Sequence, residues 1–166
     1  MEIKACAFTG YRPHKLPFGD NETHPACEQL KQRLFCEILR LTREDVKVFI
    51  SGMARGVDTW AAETVLLIRD TVPARALRLW AAIPYDQQAA AWSEAEQARY
   101  HRILDQADKV EYINHAYTSQ CLMERNRHMV DNATHLIAVY DGQPGGTRNT
   151  IEYARSKGLG ITIIEP

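Results

Sequence analysis

Six short apolar runs punctuate the chain, at residues 3–8, 46–50, 77–83, 110–113, 135–140 and 161–164. Several are apolar at successive positions rather than alternate ones, the pattern of strands covered on both faces. The segments between them change period. Leu30, Leu34, Ile38 and Leu41 recur at spacings of three and four within 28–41, and Val57, Ala61, Val65 and Ile68 do the same within 57–69. Each set is one stripe of a helix facing a core. Further helical stretches follow at 94–107, 120–130 and 150–156, the last running to Gly158, a residue suited to a helix C-cap.

Strand and helix therefore alternate from end to end. That alternation predicts an α/β fold of three layers, α/β/α and Rossmann-like, with helices on both faces of a mainly parallel six-stranded sheet. Right-handed crossovers leave few topologies, and the expected order is 3-2-1-4-5-6, with the chain reversing beside strand 1. No linker, low-complexity tract or charge block divides the sequence, so residues 1–166 read as one domain. A chain of this length buries roughly 70% of its unfolded surface and needs no staples.

In such sheets ligands bind beyond the carboxyl ends of the strands, where the order reverses. Glycine-rich turns follow strands 1, 2 and 5: Thr9-Gly10-Tyr11-Arg12-Pro13, Ser51-Gly52-Met53-Ala54-Arg55-Gly56-Val57-Asp58, and Asp141-Gly142-Gln143-Pro144-Gly145-Gly146-Thr147. Exposed N–H groups at a helix start favour an anion by only about 0.3–1 kcal/mol each, so a good site needs several turns to converge. The candidate nucleotide- or phosphate-binding set is Thr9, Gly10, Arg12, Ser51, Gly52, Met53, Ala54, Gly56, Asp58, Pro84, Asp141, Gly142, Gly145, Gly146 and Thr147. Plainer roles compete with these. Asp58 suits the first turn of a helix, Thr147 and Asn149 suit helix caps, and Arg12 and Arg55 suit solvated loop positions. The segment 86–100 carries Gln87, Gln88, Trp92, Arg99 and Tyr100 just after strand 3. It reads either as core edging or as an aromatic flap over a base.

Composition narrows the partners. With 20 basic against 21 acidic residues the net charge is −1, which disfavours nucleic acid as a partner bound without regard to sequence. Cys6, Cys27, Cys36 and Cys121 are scattered in apolar stretches and read as free buried thiols. The six histidines have no metal-ligand spacing, so neither a metal nor another cofactor is expected. A Walker-type phosphate loop is absent from the sequence. With neither a membrane-length apolar run nor a leader-like start, the expected location is the cytoplasm.

The turn motifs carry a resemblance. Ser51 to Asp58 resembles the Ser-Gly-x-Ala-Arg-Gly-Ile-Asp signature of the DNA-processing protein A family. Glu124-Arg125-Asn126-Arg127-His128-Met129, together with Pro144-Gly145-Gly146-Thr147 through Glu152, resembles the LOG ("lonely guy") nucleotide phosphoribohydrolases. Both belong to the SLOG superfamily. Thr9 to Pro13, Ile83-Pro84-Tyr85 with Gln88 and Trp92, and Val139-Tyr140-Asp141-Gly142 resemble its YpsA-like branch of small proteins. The resemblance implies a protein that binds a nucleotide or an ADP-ribose-like derivative, as a sensor or regulatory module. The LOG likeness implies an alternative, hydrolysis of the N-glycosidic bond of a nucleoside monophosphate, with Arg125 positioning the substrate and Glu152 assisting departure of the base. It also implies a homodimer. Arg148 and Asn149 stand where LOG enzymes have Gly and Thr. The likeness to DNA-processing protein A implies a third reading, association with DNA.

Overall fold

The computed structural model describes residues 2–166. Strands β1 (Ala5–Thr9), β2 (Val48–Ser51), β3 (Arg78–Ile83), β4 (Lys109–Tyr112), β5 (His135–Val139) and β6 (Gly160–Ile164) alternate with helices α1 (Pro25–Thr42), α2 (Val57–Thr71), α3 (Glu94–Gln106), α4 (Cys121–Asp131) and α5 (Gly146–Ser156). The strands form one six-stranded sheet in the order β4-β3-β2-β1-β5-β6, and each pairing is parallel. The α/β architecture and the reversal beside β1 are those the alternation predicts. The place of the fourth strand is the one difference: it continues the β1–β2–β3 run at the edge, and β5 lies beside β1. The reason is written in its residues. Lys-Val-Glu-Tyr is half-buried at best, with Lys109 and Tyr112 exposed, whereas the centre of the sheet demands the continuous burial seen in Leu136–Val139.

Side chains alternate between two cores, as the period of a strand requires. Cys6 and Phe8 of β1, Phe49 of β2, and Ile137 and Val139 of β5 join the larger core under α1, α2 and α3. Ala5, Ala7, Val48, Ile50 and Ala138 face the other way, against Met129 and Val130 of α4 and Ile151 and Ala154 of α5. Small residues on that face let α4 and α5 lie close to the strands. Helix ends use local chemistry: Ser93 and Glu96 form a reciprocal capping box at α3, and His24 caps α1 ahead of Pro25. Cys6, Cys27 and Cys121 are buried free thiols, but Cys36 is exposed, contrary to the apolar look of its neighbourhood. Among the described residues no helix is long and apolar enough to cross a membrane.

Candidate functional site

Because α1 covers one face after β1 and α5 covers the other after β5, the loops leaving these adjacent strands diverge and open a crevice. It has two lobes. The smaller, about 360 Å³, is lined by Thr9, Gly10, Arg12, His14, Lys15, Asp58, Arg125, Asn126, Gly146 and Thr147, among others. The larger, about 670 Å³, is lined by Asp20, Arg55, Tyr85, Gln88, Trp92 and Tyr117, among others. Arg12, His14, Ala54 and Leu122 belong to both.

The turn after β2 is mostly scaffold. Ser51 Oγ donates to the Asp58 carbonyl at 2.9 Å and accepts from Met53 N–H at 3.1 Å. The Asp58 carboxylate accepts from Ala54 N–H at 3.2 Å. Met53 is buried at φ 58°, a left-handed conformation that this bonding holds in place. Gln88 donates from Nε2 to the carbonyls of Gly52 and Met53, at 3.3 and 3.4 Å. A Cβ on Gly52 would stand 2.6 Å from Arg125 Cζ, and one on Gly56 would stand 2.7 Å from the Tyr11 carbonyl. These two glycines thus answer to close packing within the protein.

Arg125 is buried beneath the turn. Its Nη1 donates to the Gly52 carbonyl at 2.5 Å and to that of Ala82 at 3.4 Å, while Nε donates to Asn126 Oδ1 at 2.9 Å. Burial lowers the pKa of the Arg125 guanidinium, opposed by the field of Asp58. The same burial raises that of the Asp58 carboxyl, against Arg125 and the Ala54 N–H. The pair therefore forms a desolvated, mutually compensating floor under the smaller lobe.

Above that floor the charge is positive. Arg12, His14 and Lys15, exposed on the loop after β1, have no ion-pair partner within 4 Å among the described residues. Lys15 reaches across to the start of α5, where a Cβ on Gly145 would stand 3.3 Å from its Nζ. That helix begins without a side-chain cap, so its first N–H groups are left for another acceptor. Gly146 differs from Gly52: a Cβ there would meet nothing within 4 Å. Tyr11 donates to Asp141 and holds the two loops together, which lowers the pKa of the Asp141 carboxyl.

Acidic side chains fix the far wall. Arg99 on α3 makes paired bonds to Glu22 (2.7 and 2.8 Å) and to Glu63 (3.0 and 2.5 Å), and Lys31 adds a second cation at 2.8 Å from Glu22. This cluster ties the loop bearing Asp20 to α1, α2 and α3. Arg55 is paired with Glu96 at 2.7 Å. Trp92 packs edge-on against Tyr100, with centroids 5.3 Å apart.

Of the residues singled out in the sequence, Thr9, Gly10, Arg12, Ala54, Asp58, Arg125, Gly146 and Thr147 meet at the crevice. Ser51, Gly52, Met53, Gly56, Pro84, Asp141, Gly142 and Gly145 line neither lobe. Of the expected catalytic pair, Arg125 lines the smaller lobe and Glu152 lines neither. Glu152 lies on the solvent side of α5, 58% exposed and paired with Arg148 at 3.2 Å, because Thr147, Thr150, Ile151 and Ala154 take the inward face. Arg125 is committed to backbone carbonyls. Sequence reasoning did not single out His14 and Lys15, which the basic run after Arg12 could have signalled, Leu122 and Asn126, which share one face of α4 four residues apart, or Tyr117, a loop residue without a periodic signal. Among the described residues no cluster of three or more His, Cys, Asp or Glu side chains could hold a metal ion.

A family model described as the YspA SLOG family (YpsA) matches residues 6–160. The chain belongs to that family. This YspA SLOG protein is 34% identical over 160 residues to the UPF0398 protein of Bacillus cereus strain B4264, across 94% of this chain and 85% of that one. It is 30% identical over 158 residues to the UPF0398 protein of Halalkalibacterium halodurans, across 93% and 82%. Among solved structures, DNA processing protein A from Streptococcus pneumoniae superposes with a TM-score of 0.65 at 18% identity, covering 99% of this chain. The chain spans 51% of that protein's length. DNA processing protein A from Helicobacter pylori, described for its single-stranded DNA binding mode, gives 0.63 at 15% identity, over 99% and 66%. These two likenesses carry the fold alone.

Proposed function

We propose that the crevice binds a nucleotide or a nucleotide derivative such as ADP-ribose, and that the protein acts as a sensor or regulatory module without breaking a bond in the ligand. One observation carries this reading. Lys15 lies against the positive end of the α5 dipole, a placement that is unfavourable between the two alone and becomes favourable when an anion sits between them. Gly146 leaves room for it, and along the same wall Arg12 adds charge and His14 a ring nitrogen able to hydrogen-bond. The hydrolase alternative draws no such support. Glu152 points to solvent, and Asp58, the carboxylate in the smaller lobe, is engaged by Ala54 N–H.

The test is thermal unfolding of the purified protein with nucleoside monophosphates, ADP-ribose, NAD and a single-stranded oligonucleotide, each stabilising compound then being assayed for released base. A ligand at a hundred times its Kd adds about 2.7 kcal/mol, or roughly 5–10 °C for a chain of this size. The expected result is stabilisation by a nucleotide with no free base, unchanged in Glu152→Gln. Base release that disappears in Glu152→Gln overturns the sensor reading in favour of the hydrolase. Stabilisation by the oligonucleotide alone moves the function to DNA.

A further inference from the structure

Tyr117, on the loop between β4 and α4, is 65% exposed. Its ring stands edge-to-face on Tyr85, with centroids 5.4 Å apart at 81°, and both line the larger lobe. The loops that carry them are fastened to each other. Asp86 N–H donates to the His115 carbonyl at 3.3 Å, and His115 Nδ1 lies 3.3 Å from Asp86 Oδ1. Tyr117 is thus held in place without being buried. A fixed aromatic face kept in water adds little to folding and is well made for stacking on a flat partner.

The order of groups along the crevice supplies the rest. The tyrosines occupy the larger lobe, Arg12 and His14 stand where the lobes meet, and Lys15 with the start of α5 lies in or beside the smaller one. Two cationic stations in sequence suit two linked phosphates. The lobes are each of a size that holds a small ligand.

The geometry points to a nucleoside 5′-diphosphate, free or substituted, with its base stacked on Tyr117 and its diphosphate strung from Arg12 and His14 to Lys15 and Gly146. This rests on the nucleotide reading above and narrows it to a ligand class and a specificity residue.

Calorimetric titration of ADP, AMP and inorganic pyrophosphate into the wild type, Tyr117→Ala and Tyr117→Phe tests it. ADP is expected to bind more tightly than AMP. Tyr117→Ala should weaken ADP roughly 5- to 150-fold, the range for loss of one base–aromatic stack. It should leave pyrophosphate unchanged, and Tyr117→Phe should bind ADP as the wild type does. ADP binding undiminished in Tyr117→Ala overturns the stacking role, and AMP binding as tightly as ADP overturns the diphosphate class; the nucleotide reading survives both. Failure of the wild type to bind any nucleotide, ADP-ribose and NAD included, overturns that reading as well.

Discussion

The guanidinium of Arg125 lies flat against Gly52, so close that the position has no room for a side chain: an added Cβ would stand 2.6 Å from both Cζ and Nη1. An arginine that lines a crevice is ordinarily taken for a ligand contact. Here it is first a buttress, tying α4 to the end of β2 through the Gly52 carbonyl.

Gly52→Ala should therefore displace Arg125 and destabilise the protein by about 1–3 kcal/mol, the usual range for overfilling a packed site. Arg125→Met should be worse, because it takes the donor from the Gly52 and Ala82 carbonyls and from Asn126 Oδ1 and weakens the field that offsets the burial of Asp58. Urea denaturation of both variants checks this. A fully stable Arg125→Met variant that has lost ligand binding would restore Arg125 to the role of a ligand contact.

Gly146 and Gly10 should behave in opposite ways. Gly146→Ala meets open space and should leave the melting temperature unchanged or slightly raised, since alanine is the better helix former, while weakening nucleotide binding. Gly10→Ala puts a methyl 2.6 Å from Val57 Cγ1 and should lower stability by about 1–3 kcal/mol. Melting curves with and without ligand separate the two effects. Unaltered binding in Gly146→Ala removes that residue from the anion seat.

Acid should weaken the wall built around Arg99. Hydrogen bonds from Arg99 hold the Glu22 carboxyl at about 2, well below its ordinary 4.5. A depressed carboxylate contributes stability in full above its unfolded pKa and loses it as pH falls through the folded one, so the loss runs from about pH 4.5 to about pH 2. About a third of each side chain is in water, and screening leaves about 1 kcal/mol. Melting temperatures of the wild type and Glu22→Gln should differ at pH 7 and converge across that window. A difference independent of pH would exclude the ion cluster as its source.

The sheet, its reversal beside β1 and the turns at its carboxyl edge were legible because buried strands and glycine turns leave local patterns. The position of β4 was legible too, had the charged Lys109 and Glu111 been weighed as marks of an edge. Packing across the chain was harder to read. Gly10, Gly52 and Gly56 look in sequence like places where a ligand approaches the backbone, yet Val57, Arg125 and Tyr11 fill the space beside them. Arg125 itself carried a signal, since it falls four residues from both Cys121 and Met129 on the buried stripe of α4. Glu152 was assigned by motif register, which fixes a position along α5 but not the face it presents. Lys15 acquires its meaning only from the start of α5, and no local pattern reports a neighbour that distant.

Tyr11 and Asp141, whose hydrogen bond joins the two loops of the crevice, are 130 positions apart in the chain. On the ribosome the first three strands and helices emerge long before β5, and until it arrives β1 has a neighbour on one side only. The smaller lobe gains its last wall when Gly146 and Thr147 emerge. The crevice therefore exists only in a chain translated past the start of α5, and its shape reports that β1 has gained its second neighbour.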